Sequence, residues 1–235
     1  MQGRPTSFLE QLPPTGPVTK WLCGLSLGLS LVGSVTQRKL GIGVNELIFS
    51  APHILDLELW RLITFPLIER SPWGLLIGLL IFWLFGRSFE AKWGSQHFLK
   101  FITLSSIGAA IIALPMSYLI SAILPFQDPG VAEGFTPAID AILMHLALVL
   151  PGAKILMGFV LPMSIRTTIY LLLGIQLIFG IQTGAASLST TVGGIAMGYL
   201  LTTGNWRPGR WLRKSQKKTK RDLYVVRPPN DHTLH

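Results

Sequence analysis

The chain has 235 residues, 49% of them hydrophobic and only 13% charged, whereas a soluble domain usually carries about 25% charge. That balance excludes an ordinary water-soluble domain and makes a lipid bilayer the expected solvent. The formal net charge of +9 is unevenly distributed, and the lone Cys23 excludes an intramolecular disulfide and a cysteine-based metal site.

In chain order, residues 1–19 form a proline-rich lead with Pro5, Pro13, Pro14 and Pro17. Residues 21–37 carry no charge and are just long enough for a first crossing. A cleaved signal segment is the competing reading of this run, but the lead is too long and too weakly basic for one. Residues 38–70 mix charged and apolar side chains, and no window among them spans a bilayer. They are expected to form a structured outer loop with short interfacial helices, in which Asn45 caps a turn over 46–49 and Pro52 ends it.

The stretch Trp60–Gly94 organises the rest. Trp60-Arg61 suits a membrane–water boundary, the ring half dry and the guanidinium half wet. Residues 71–86 are uncharged and give a second crossing, followed by Arg87, Glu90, Lys92 and Trp93 at the other boundary. Gly74, Gly78 and Gly86 recur at multiples of four, so one nearly bare helix face is expected to let a neighbouring helix approach. Residues 101–127 supply a third crossing.

A short fourth crossing spans 137–152. Thr136-Pro137 predicts its start, with a hydroxyl cap and proline at the first helical position. Asp140 is expected in the first turn, where the helix dipole favours an anion. An apolar connector follows over 155–165. The forty uncharged residues 167–206 accommodate two crossings, with a break at 182–187 and Gly194-x-x-x-Gly198 in the last.

Six crossings place both termini on one side. That side carries sixteen Lys and Arg residues against four on the other. The positive-inside rule makes it cytoplasmic, in the cell inner membrane if the protein is bacterial. The domain plan is therefore a lead (1–19), an all-α six-span membrane domain (20–205) and a basic tail (206–235). Arg207, Arg210, Arg213, Lys214, Lys217, Lys218, Lys220 and Arg221 in the tail are expected to attract anionic lipid. Nothing in the tail has the stacking pattern of a nucleic-acid binder.

With that topology, three motifs resemble the rhomboid superfamily of intramembrane serine proteases and their inactive relatives. They are Leu59-Trp60-Arg61-Leu62-Ile63-Thr64 in the outer loop, Gly86-Arg87-x-x-Glu90-x-x-Trp93-Gly94 after the second crossing, and Gly194-x-x-x-Gly198 in the sixth. Rhomboid proteases use a serine at the start of the fourth crossing and a histidine in the sixth. They also place a histidine and an asparagine four residues apart on the second crossing, near the oxyanion. The resemblance sets Thr136 at the serine position, Thr191 at the histidine position, and Gly74 and Gly78 at the oxyanion positions.

None of these replacements supports the reaction. A hydroxyl needs an adjacent base to become a nucleophile, a neutral alcohol is a negligible base at pH 7, and glycine has no side-chain donor for an oxyanion. Thr136 reads better as a helix cap than as a nucleophile. The resemblance therefore implies a pseudoprotease that binds transmembrane segments of client proteins without cutting them, by lateral access beside the second and fifth crossings. A protease with a displaced catalytic set and a small transporter or channel are the alternatives. For the transporter, Asp140, His145 and Arg166 are the pathway candidates. Asp140 and His145 are five residues apart, about 140° around a helix, so they do not share a face. His145 is expected to be neutral and hydrogen-bonded to a neighbouring helix. No metal-ligand spacing and no cofactor motif is present.

Overall fold

The computed structural model describes residues 13–41, 43–124, 130–150, 154–157 and 161–204. The basic tail residues Arg207 to Arg221, residues 1–12 and the expected end of the fourth crossing at 151–152 lie outside the described residues. Eight α-helices are present among the described residues: α1 (Pro17–Leu40), α2 (Ala51–Leu55), α3 (Arg61–Thr64), α4 (Pro72–Trp93), α5 (Ser95–Ile123), α6 (Thr136–Val149), α7 (Ile165–Thr183) and α8 (Ala185–Thr203). Four of them (α1, α4, α5 and α7) are long and apolar enough to cross a membrane. The protein is an all-α membrane bundle.

Its exterior, unlike that of a soluble bundle, is apolar. Large apolar side chains point outward, among them Leu31 and Val32 on α1, Leu76 and Leu80 on α4, and Ile178 and Phe179 on α7. Such a surface is stable only where acyl chains cover it. The interior is rich in small residues. On α5, Ser105, Ser106, Ala109, Ala110, Ala113 and Ser117 are buried at helical spacing; on α8, Ser189, Thr190, Gly193, Gly194 and Gly198 are. In lipid, helices associate through close van der Waals approach, which small residues permit.

α8 is the helix that uses this most, packing chiefly on α5 and α6. A Cβ on Gly194 would lie 2.6 Å from the Pro137 carbonyl oxygen and 2.8 Å from its Cα. One on Gly198 would lie 2.7 Å from both the Cα and the oxygen of Ala141, and one on Gly193 would meet Ala109 of α5 at 2.6 Å. Backbone thus rests on backbone along two sides of α8. The larger apolar core sits beside it, where Phe82 of α4 stacks on Phe135 just ahead of α6, ring centroids 4.2 Å apart.

The motif at the end of α4 builds a corner between α1, α4 and α5. Gly86 lies against Thr19 and Phe98, where a Cβ would be 3.2 Å from each. Arg87 donates to the Pro13 carbonyl and stacks its guanidinium over Trp83, which itself donates to Thr15. Trp93 packs edge-on against Phe89, Phe101 and His145. Gly94, at φ 78°, turns the chain from α4 into α5. Glu90 is buried and faces the first turn of α1.

The outer loop holds α2, α3 and two short 3₁₀ turns, Val44–Glu46 and Phe65–Leu67. Pro52 lies in the first turn of α2, so it starts a helix rather than ending the turn before it. A two-residue strand, β1 (Phe49–Ser50), pairs antiparallel with β2 (Val131–Ala132) and ties this loop to the segment ahead of α6.

Arg61 departs from the boundary role expected of it. Its side chain is buried, pairs with Glu58 at 2.5 Å, and donates to the carbonyls of Asn45 at 2.8 Å and Ile48 at 3.0 Å. It is the internal fastener of the loop, while Trp60 stays exposed and donates to the Glu46 carbonyl. Removing a buried cation strands its partners, so Arg61→Ala is expected to lose about 3 kcal/mol. Arg61→Lys should recover only part of this, because an ammonium lacks the guanidinium's fixed fork. Thermal melts of both variants in detergent check the order wild type, then Lys, then Ala.

Two further sequence expectations are corrected. The connector over 155–165 contains an antiparallel hairpin, β3 (Lys154–Met157) with β4 (Leu161–Ser164). Pro162 is compatible with it, because a two-stranded sheet leaves every strand with a free edge. At the start of α6, Phe135 is the cap residue and the Thr136 side chain makes no capping bond. The helix begins one residue earlier than expected, which puts Asp140 in its second turn and out of the helix-end field.

Candidate functional site

The glycine face of α4 was expected to receive a neighbouring helix, but only Gly86 is packed that way. A Cβ on Gly78 would meet nothing within 4 Å, and one on Gly74 would come 2.7 Å from the carboxyl group of Glu69. The space left by these two glycines is the wall of a half-open cavity of about 690 Å³. Ile77 and Gly78 of α4 line one side, and Gln176, Phe179 and Gly180 of α7 the other. Thr136, Ile139, Ser187 and Thr191 complete it.

Four positions singled out from sequence therefore converge. Thr136, Thr191, Gly74 and Gly78 all line this one cavity, although they come from three helices and span 118 positions of the chain. Their chemistry is that of hydroxyls and bare backbone. Among the described residues, no group of three or more His, Cys, Asp or Glu side chains is placed to hold a metal ion.

The carboxyl group of Glu69 is the feature that sequence reasoning missed. Glu69 follows the 3₁₀ turn Phe65–Leu67 and precedes Ser71, the cap of α4, whose hydroxyl accepts from the Gly74 N–H at 3.2 Å. The Glu69 backbone N–H donates to the Ser30 hydroxyl of α1 at 3.0 Å, fixing the turn against that helix. The carboxyl then lies between Gly74 and Gly134, in space that a side chain at either position would need. Gly134 is also held at φ 81°, where its N–H donates to the carbonyls of Phe65 and Ile68. Glycine at 134 is thus required twice, once for conformation and once for room.

Burial and the neighbouring Glu133 carboxylate push Glu69 up to about 7. Glu133 is itself paired with Arg70 at 2.5 Å. Among the described residues Glu69 forms no ion pair, and no Lys or Arg lines the cavity.

The other polar candidates are separate from one another. Asp140 is fully buried where α6 meets α8 at Gly194, its carboxyl group facing the side chain of Gln176. Gln176 of α7 lies alongside it, its Oε1 unpartnered, and lines the cavity. His145 sits at the far end of α6 and hydrogen-bonds through Nδ1 to Thr202 of α8 at 2.9 Å, with Phe89, Trp93 and Phe101 around it. Arg166 lies over the ring of Tyr170, one turn along α7. Asp140, His145 and Arg166 do not share an environment.

A family described as "eukaryotic integral membrane protein (DUF1751)" matches residues 20–202, covering α1 through nearly the end of α8. The description is of a eukaryotic family and gives no support to a bacterial inner membrane. The match takes in every helix that builds the cavity and well over half of the chain, so the protein belongs to this family of integral membrane proteins.

Proposed function

We propose that the protein is a rhomboid-like pseudoprotease that binds transmembrane segments of client proteins in the cavity between α4 and α7 without cleaving them. The observation that carries this reading is the cavity wall. The positions matching a protease's nucleophile, base and two oxyanion donors lie together and hold Thr136, Thr191, Gly74 and Gly78. In place of an oxyanion donor, the space at Gly74 holds the Glu69 carboxyl. A carboxylate there would repel the developing oxyanion, and an oxyanion hole works by donors aimed at that charge. The electrostatics are inverted as well as stripped.

Access from the bilayer fits the same arrangement. α4 packs on α1, α5 and α6, whereas α7 packs on α6 and α8, and the cavity occupies the gap between them. We take α6 and α8 as two further crossings enclosed by the other four, with both termini cytoplasmic. α6, at 14 residues, is about 21 Å long, short of the roughly 30 Å hydrocarbon core. That mismatch would thin the bilayer locally and loosen a client helix at its side. The tail from Arg207 to Arg221 would hold anionic lipid on the cytoplasmic face.

An activity-based fluorophosphonate probe tests the inactive half of the proposal. Purified protein in detergent and in vesicles should remain unlabelled, and Thr136→Ala should change nothing. Covalent labelling that disappears in Thr136→Ala would establish a displaced catalytic set. A photocrosslinking side chain at Ile77 tests the binding half, with adducts to helical membrane peptides expected.

A further inference from the structure

We propose that the cavity selects client transmembrane segments carrying a lysine or arginine near the end that seats beside Glu69. The inference rests on the client-binding reading of the cavity and names the chemistry by which a client is recognised.

The polar groups on the wall are unbalanced in one direction. Glu69 presents a carboxyl between Gly74 and Gly134, and its nearest cation, Arg70, is committed to Glu133 and also reaches Asn45. Further in, Gln176 presents an acceptor oxygen with no donor. Thr136, Thr191 and Ser187 add hydroxyls. Glu69 accepts from the Ser71 N–H at 3.3 Å and shares a hydrogen bond with Glu133, but it has no cationic partner on this wall, so the cavity is complementary to a donor that brings positive charge. An acceptor without a donor is costly in an apolar setting, so a bound ammonium or guanidinium would satisfy the Gln176 oxygen and neutralise Glu69.

The client side of the exchange is equally directional. An ionisable residue inside a transmembrane segment is expensive in lipid and seeks a partner in a bundle or cavity. The apolar part of the same segment would lie along Ile77 and Phe179, which border the cavity and face outward. A uniformly apolar helix gains only van der Waals packing here over lipid, because acyl chains are as apolar as leucine. Discrimination therefore falls to Glu69.

Ionisation adds a second signature. With Glu69 at about 7, the carboxylate fraction rises from about a tenth at pH 6 to about nine tenths at pH 8. The charged groups that face it are Glu133, with which it shares a hydrogen bond, and Arg70; the Ser71 N–H donates to it, and Ser30 and Gly74 lie on the α1 and α4 sides. The client's lysine or arginine stays charged throughout this range, so its capture should strengthen as pH rises.

The test uses the full chain in phosphatidylcholine nanodiscs with a photocrosslinking side chain in place of Phe179. The probes are model transmembrane peptides of leucine and alanine that differ at one position near one end: Lys, Leu or Glu. The Lys peptide should crosslink about ten-fold more than the Leu peptide, and the Glu peptide least. The Lys preference should grow several-fold from pH 6 to pH 8 and vanish in Glu69→Gln. Equal crosslinking of all three peptides, or a Lys preference that survives Glu69→Gln at unchanged melting temperature, would overturn the proposal while leaving client binding intact. Adducts to phospholipid alone would overturn both readings. The peptide series needs no variant at Glu69, so a poorly folded Glu69→Gln does not remove the test.

Discussion

Replacing Gly194 by valine should collapse the bundle, with a loss of about 3 kcal/mol or more, at the upper end of what overpacking costs. The added Cβ alone would lie 2.6 Å from a carbonyl oxygen and 2.8 Å from a Cα of Pro137, and both are backbone atoms near the start of α6. A side chain can rotate away, but a helix backbone moves only if the whole helix does. The opposite flank offers no relief, because Gly193 is pressed against Ala109 of α5. Gly78 supplies the internal control. It has the same residue type in a membrane helix, yet nothing lies within 4 Å of its Cβ position. Gly78→Ala should be neutral, or stabilising by up to about 1 kcal/mol through helix propensity. Melting temperatures in detergent, read by loss of the monodisperse peak on size exclusion, separate the two. Similar melting of Gly194→Val and Gly78→Ala would mean that the α6–α8 contact does not hold the fold.

That contrast also shows where the sequence was informative. The uncharged runs located the helices long and apolar enough to cross a membrane because a bilayer excludes charge, and α1, α4, α5 and α7 each overlap such a run. Spacing was less reliable as a guide to packing. Gly74, Gly78 and Gly86 share a helix face by arithmetic, but only Gly86 is close-packed, since periodicity places residues on a face without saying what covers it. The serine–alanine stripe on α5 follows the same arithmetic but gives no hydropathy signal, because small residues carry no hydropathy peak.

Glu69 was not legible at all. In sequence it is an ordinary loop acid beside Arg70, and its role depends on Gly74 and Gly134, sixty residues apart, standing on either side of its carboxyl. Arg61 was misplaced for a related reason. Its neighbour Trp60 is a good interface residue, but the carbonyls of Asn45 and Ile48 that draw the guanidinium inward are backbone groups with no side-chain signature. The convergence of Thr136, Thr191, Gly74 and Gly78 came from the resemblance, and composition alone would not have found it.

Glu90→Ala is expected to free the first turn of α1 and lower stability by about 3 kcal/mol, the scale of hydrogen bonds to a charged acceptor. α1 has no capping side chain of its own, because Gly16 stands at its cap position. Glu90 of α4 supplies the cap from another helix, accepting from the backbone N–H groups of Val18 at 2.9 Å and Thr19 at 2.8 Å and from the Thr19 hydroxyl at 2.7 Å. Ser95 donates to the same carboxylate at 2.6 Å from the first turn of α5. An anion at a helix N-terminus also meets the positive end of the dipole. Deleting it leaves buried donors unpaired at Thr19, which is fully inaccessible to solvent. Glu90→Gln should fall between, since its amide keeps one acceptor oxygen but turns N–H groups toward N–H groups. The Arg87–Pro13 and Trp83–Thr15 contacts remain in both variants, so α1 should loosen rather than leave. Cys23, partly buried on α1 against the core, reports this directly. Its maleimide labelling should accelerate in the order wild type, Gln, Ala, in parallel with falling melting temperature. A Glu90→Ala protein that melts lower with Cys23 labelling unchanged would show that the carboxylate stabilises the α4–α5 corner and that α1 is held by its apolar face alone.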